Sequence, residues 1–100
     1  MAYPTLMRAW GLLLEDNIAA QIRPATESSF EEMLPQLMLR FDATDLQQAE
    51  DALASLEPLD LENLCMGEED DQEIAISRMT RNGFFGVHAN EVVAEMWELL

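Results

Sequence analysis

The chain has 100 residues, of which 49% are apolar, and this suits one compact domain rather than a disordered chain. Twenty Asp and Glu residues against five Arg and no Lys give a formal net charge of -15 at pH 7. A charge of that sign repels nucleic acid and anionic membranes and attracts basic protein surfaces, so we expect no direct binding to nucleic acid or membrane.

The first predicted helix runs from about Thr5 to Arg23. Pro4 suits its first turn and Pro24 ends the pattern. Apolar residues recur on one face at spacings of three and four, which is typical of an amphipathic helix. They are Leu6, Met7, Trp10, Leu13, Leu14, Ile18 and Ile22.

A second helix is predicted to begin at Ser28 or Ser29, because each serine is followed three residues later by a glutamate, as in a capping box. Its apolar residues are Phe30, Met33, Leu34, Leu37, Met38 and Phe41. Pro35 interrupts this run, so we expect it to bend the helix or to split it in two.

Asp42 or Thr44 begins the third predicted helix, which extends to about Glu57 before Pro58. The apolar stripe consists of Leu46, Ala49, Leu53 and Leu56. The residues expected on its wet side are Gln47, Glu50 and Asp51.

The fourth predicted helix starts near Asp60, and Gly67 is expected to end it in a left-handed conformation. Asp70 with Glu73 resembles an N-cap and its partner for a fifth helix, which Asn82-Gly83 ends.

Phe84 to Val87 is predicted as an extended connector, and Asn90 as the cap of the last helix. The last helix carries Val92, Val93, Met96, Trp97 and Leu100 on one face. The pattern therefore predicts an all-α single domain, residues 1–100, of five or six short helices. We expect packing against the first and last helices to hold the shorter ones in place.

No residue pattern predicts catalysis, and we expect the chain to be non-enzymatic, without cofactor or metal. Cys65 is the only cysteine, so no internal disulfide can form, and its apolar neighbours favour a buried thiol. His88 is the only histidine, and acid–base chemistry would need a positioned partner for it. The contiguous acids after Gly67 lack the alternating spacing of a calcium loop.

The densest charge lies at Gly67–Glu73, where five carboxylates occur in seven residues. It completes a stretch of twelve acids in residues 42–73, with no basic residue between Arg40 and Arg78. The helix dipole favours carboxylates in a first turn by roughly 0.3 to 1 kcal/mol each. Because no nearby base neutralises the stretch, repulsion among its carboxylates should lower the stability of the fold. We therefore infer a function that uses the negative electrostatic field of this stretch.

Aromatic residues divide into two groups. Trp10 and Trp97 fall on apolar helix faces and are predicted to anchor the core. Phe84 and Phe85 cannot both be buried on one side of an extended connector, and an exposed phenylalanine is a candidate contact for a partner.

Small size, low isoelectric point, helical pattern and the lack of lysine together resemble the phage-encoded anti-CRISPR proteins and related DNA mimics. The resemblance covers the whole chain in size and composition. It implies a stoichiometric inhibitor in the bacterial host cytoplasm that binds a CRISPR surveillance complex and blocks its Lys- and Arg-rich DNA channel.

The function expected from the sequence is therefore an acidic interaction protein that occupies a basic, nucleic-acid-binding protein surface. The predicted contact residues are Asp60, Glu62, Glu68, Glu69, Asp70, Asp71, Glu73, Phe84 and Phe85. An alternative is a small acidic cytoplasmic chaperone or adaptor, such as a secretion chaperone, that binds an apolar segment. A third and weaker alternative is an enzyme that uses His88 with a carboxylate.

Overall fold

Six helices make up the part of the chain that the computed structural model describes, which is residues 3–16 and 26–100, with side chains described for residues 3–16 and 29–100. They are α1 (Pro4–Asp16), α2 (Thr26–Met38), α3 (Ala43–Ala54), α4 (Pro58–Met66), α5 (Glu69–Arg81) and α6 (Gly86–Glu98). No strand occurs in these ranges, and the predicted all-α class is confirmed.

The core forms around α1 and α6. Helix α1 packs against α2, α3, α4 and α6, while α6 also packs against α2, α3 and α5. Leu6 and Trp10 of α1 and Met96 of α6 are each 0% exposed. The expectation that the first and last helices organise the shorter ones is therefore confirmed. The radius of gyration is 12.5 Å, close to the roughly 13 Å of a folded chain of about 100 residues.

Helix α1 begins at Pro4 as predicted, with proline in the first turn where its missing N–H costs nothing. Its described part ends at Asp16. The predicted extension to Arg23, the apolar residues Ile18 and Ile22, and the predicted stop at Pro24 lie outside the described residues.

Helix α2 begins at Thr26, so the prediction that Ser29 caps it is wrong. Ser29 lies inside the helix and is buried, and its hydroxyl oxygen accepts a hydrogen bond from the Trp10 indole N–H at 3.0 Å. The side chain of Ser28, the other candidate cap, is outside the described residues.

Pro35 does not split α2, which continues through it to Met38. A proline inside a helix costs about 3 kcal/mol. Phe30 and Met33 before the proline and Leu37 after it are all buried. Packing on both sides of Pro35 therefore holds the two halves in one helix.

Helix α3 begins after Asp42, the first of the two predicted starts. The Asp42 carboxylate accepts the backbone N–H of Asp45 at 2.8 Å, which satisfies one of the free donors of the first turn. On the same helix, the prediction that Glu50 faces water is wrong, because Glu50 is only 5% exposed. Its carboxylate accepts the backbone N–H groups of Thr5 and Leu6, each at 2.9 Å from Oε1, and so caps α1.

Gly67 ends α4 as predicted, but its φ of -83° is not left-handed. Glycine is needed there for space, since a Cβ would overlap the carbonyl oxygen of Asn63 and lie 2.8 Å from Cβ of Asp71. The N-cap of α5 is Glu68, which lies two residues before the predicted cap Asp70. The Glu68 backbone N–H donates to the Asp71 carboxylate at 3.2 Å.

Helix α5 ends at Asn82-Gly83 as predicted, and Gly83 has a left-handed φ of 95°. The predicted extended connector up to Val87 and the predicted cap at Asn90 are wrong, because α6 already begins at Gly86. A Cβ on Gly86 would overlap the carbonyl oxygen of Ile76. The first turn of α6 therefore lies tight against α5, an approach that only glycine permits.

Candidate protein-interaction surface

The acidic run forms an exposed corner at the start of α5. We call the residues Glu68, Glu69, Asp70, Asp71 and Glu73 the acidic corner. Four of them are exposed, whereas Asp71 is partly buried and accepts the Glu68 backbone N–H. The corner exists because the extended backbone at Gly67 turns the chain directly from α4 into the first turn of α5.

Charge along α5 follows the helix dipole. Its first turn holds Glu69, Asp70 and Asp71, and its last turn holds Arg78 and Arg81. Dipole stabilisation accounts for part of this arrangement. The ion pairs found among the described residues include none of the five carboxylates of the acidic corner. The charge of the four exposed carboxylates therefore faces solvent.

Asp60 and Glu62 differ from the corner and from each other. Asp60 is 7% exposed and forms an ion pair with Arg78, which joins α4 to α5. The expectation that no base neutralises the acidic stretch is therefore wrong at Asp60, whose pairing with Arg78 holds the fold and leaves little of the side chain for a partner. Glu62 is exposed on α4, and its contact with a partner stays a prediction.

The aromatic predictions had mixed outcomes. Trp10 is fully buried as predicted, whereas Trp97 is 41% exposed and is not a core anchor. Of the phenylalanine pair, Phe84 packs partly buried against the core while Phe85 is 74% exposed. The expectation that the two cannot both be buried is confirmed, and Phe85 is the one a partner could reach.

His88 lies in the first turn of α6 between two carboxylates. Its Nε2 is 3.8 Å from Oδ1 of Asp45, and its Nδ1 is 3.9 Å from Oε2 of Glu91. The Phe41 ring meets the imidazole edge-on with centroids 6.0 Å apart. Both nitrogen–oxygen distances exceed hydrogen-bond length, and Nε2 has no partner in the described part of the chain. Neither carboxylate therefore forms a hydrogen bond with the imidazole.

A cleft of about 600 Å³ opens beside His88, between α3 and the start of α6. We call it the α3/α6 cleft. Its walls include Asp45, Phe84, Phe85, Val87, His88 and Glu91. Sequence reasoning identified the phenylalanines and missed Asp45, Val87 and Glu91. No spacing signal could have found them, because Asp45 is 46 residues from Glu91 and only helix packing brings the two together.

Cys65 is buried, as its neighbours predicted. Burial raises the pKa of its thiol from 9.0 to about 12, so the thiol stays protonated and is a poor nucleophile at neutral pH.

The described ranges contain no group of three or more His, Cys, Asp and Glu side chains arranged to hold a metal ion. Within the same ranges, no helix has the length and hydropathy that a membrane crossing requires. Comparisons of the chain with protein families, with curated proteins and with solved structures gave no significant match.

Proposed function

We propose that this chain is a non-enzymatic acidic interaction protein that inhibits a nucleic-acid-binding protein complex by occupying its basic surface. The acidic corner carries the proposal. Four of its carboxylates, on Glu68, Glu69, Asp70 and Glu73, are exposed. Capping and dipole stabilisation explain Asp71 well, but they do not require this many further charges.

Charge density supports the comparison with nucleic acid. Duplex DNA carries one negative charge per about 1.7 Å of its axis. An α-helix rises about 1.5 Å per residue, so the three exposed carboxylates of Glu69, Asp70 and Glu73 occupy roughly 6 Å of the α5 axis, about one charge per 2 Å. The acidic corner therefore presents charge at a spacing similar to that of DNA, and a channel lined by Lys and Arg would attract both.

The resemblance to anti-CRISPR proteins names one partner to test, a CRISPR surveillance complex. The assay uses a purified complex loaded with guide RNA and measures its binding to labelled target DNA in a mobility-shift experiment. We expect the chain to block DNA binding stoichiometrically, with an affinity that falls steeply as NaCl increases, because exposed charges are screened by salt.

A matched pair of variants tests the acidic corner itself. The corner variant combines E68Q, E69Q, D70N and E73Q, and the control combines E31Q, E32Q, E57Q and E98Q, which removes the same charge from exposed positions elsewhere. We expect the corner variant to inhibit at least tenfold less well and with a flatter salt dependence. Equal inhibition by the two variants, or binding indifferent to salt, would show that the corner is not the contact.

An adaptor or chaperone is the second candidate, favoured by exposed apolar side chains. Leu39 is 85% exposed and Phe85 is 74% exposed. The helix face that first suggested this function gives it less support, since Leu37 is buried, Leu34 and Phe41 pack against the core, and only Met38 of that face is exposed. An adaptor should bind an apolar peptide with little dependence on salt, and the corner variant should bind that peptide as well as the wild type does.

A further inference from the structure

The α3/α6 cleft combines an apolar wall with acidic groups. Phe85 is 74% exposed and Val87 is 63% exposed, while Phe84 lies partly buried behind them. Asp45 and Glu91 add two carboxylates whose side chains are 39% and 63% exposed. Apolar area next to charge of one sign is the pattern that binds an amphipathic side chain with a long stem and a cationic head.

Electrostatics in the cleft favour a cation. The start of α6 contributes roughly half a positive charge from its dipole, whereas Asp45 and Glu91 contribute two full negative charges. The arginines that form ion pairs in the described part of the chain bind other acids, since Arg40 pairs with Glu95 and Arg78 with Asp60. Asp45 and Glu91 face the His88 nitrogens at 3.8 and 3.9 Å, and Asp45 Oδ2 also accepts the Asp42 backbone N–H at 3.4 Å. Neither carboxylate is paired with an arginine of the described ranges, and both side chains are exposed enough for an incoming basic group to reach them.

We propose that the α3/α6 cleft binds an arginine side chain of a protein partner, on a segment that also carries an apolar residue. The stem and the plane of the guanidinium pack against Phe85, and its N–H groups donate to Asp45 and Glu91. Arginine fits better than lysine because its planar group stacks on aromatic rings and serves more than one acceptor. This inference rests on the proposed function, because it adds one specific contact to a basic partner.

The test titrates the ¹⁵N-labelled chain with acetyl-Leu-Arg-Leu-amide and follows backbone amide shifts by NMR. Two matched peptides replace arginine by the neutral isostere citrulline or both leucines by glycine. We expect the shifts to cluster at Asp45 and at residues 85–91, and we expect both matched peptides to bind more weakly. Shifts centred on the acidic corner, or equal binding of the citrulline peptide, would overturn the proposal.

Variants at exposed positions distinguish binding in the cleft from general attraction to the negative charge of the chain, and they leave the core intact. F85A and E91Q should each weaken binding of the arginine peptide about two- to fivefold, as expected for the loss of one cation–π or ion-pair contact. L59A removes a large exposed apolar side chain and E32Q an exposed glutamate charge, both outside the cleft lining, and both should leave binding unchanged. If the cleft variants and their controls bind the peptide equally, the cleft is not the site.

Failure of this proposal can be told apart from failure of the proposed function. If the F85A and E91Q variants block DNA binding normally while the corner variant does not, the cleft proposal fails and the function stands. If the arginine peptide binds in the cleft but the chain does not block DNA binding in the mobility-shift assay, the cleft proposal stands and the function fails.

Discussion

The thiol of Cys65 makes the free energy of unfolding depend on pH in the alkaline range. Its pKa is raised from 9.0 to about 12 in the folded chain, so above pH 9 the unfolded chain loses a proton that the folded chain keeps. The free energy of unfolding should therefore fall as pH rises from about 9 to 12, by about 1.4 kcal/mol per pH unit.

Urea unfolding of the wild type and of C65A at pH 8 and pH 10.5 measures this contribution, because other titrating groups act equally in both chains. We expect the wild type to lose more stability than C65A over this range. Parallel losses in the two chains would show that the thiol ionises as readily in the folded state.

The hydrogen bond between Trp10 and Ser29 satisfies a buried indole N–H. In the S29A variant that donor loses its acceptor inside the core, and we expect a loss of about 1 to 3 kcal/mol of unfolding free energy. Chemical denaturation followed by fluorescence measures the change. S29T keeps the hydroxyl and serves as the control, and a neutral S29A would show that another acceptor replaces the serine.

At the scale of elements, one helix is capped by another. Glu50 of α3 accepts the Thr5 and Leu6 backbone N–H groups and so satisfies free donors at the start of α1. Because α1 packs against four other helices, this carboxylate positions a central element of the fold.

Replacing Glu50 by alanine should cost about 2 to 4 kcal/mol, since one buried and one partly buried donor lose a charged acceptor at a helix N-terminus. Thermal unfolding measures the loss. D51A removes the exposed neighbouring carboxylate on the same helix and should cost less than 1 kcal/mol. Equal destabilisation by both variants would contradict the capping role.

At the scale of the whole molecule, a net charge of -15 opposes compaction. Raising NaCl from about 20 to 300 mM shortens the Debye length and screens this repulsion. We expect Tm to rise by roughly 4 to 8 °C, the shift that corresponds to about 1 kcal/mol in a domain of this size. Scanning calorimetry measures it, and the corner variant should show a smaller rise. A Tm that falls with salt would show that attractive ion pairs dominate.

Local signals in the sequence predicted much of the fold. Apolar spacing predicted the helices. The cap at Asp42, one of two predicted starts, and the end of α5 at Asn82-Gly83 could be read from neighbouring residues because turns and caps involve contacts within a few positions. The start of α6 was missed because glycine is a poor helix former. Gly86 is tolerated there by close packing against α5, a contact that the local sequence does not display.

By itself, the sequence determined the all-α class, the negative charge, the buried thiol and the exposed acids of the corner, because these follow from composition and short-range periodicity. Only the tertiary structure decided which acids serve the fold: Glu50 caps α1 and Asp60 pairs with Arg78, each across at least 18 residues. It also decided that Trp97 is exposed and that Asp45 and Glu91 flank one cleft. The physical reason is that burial and pairing of a side chain depend on which helices pack together. Helical spacing shows which residues share a face, but it does not show which helix packs against that face.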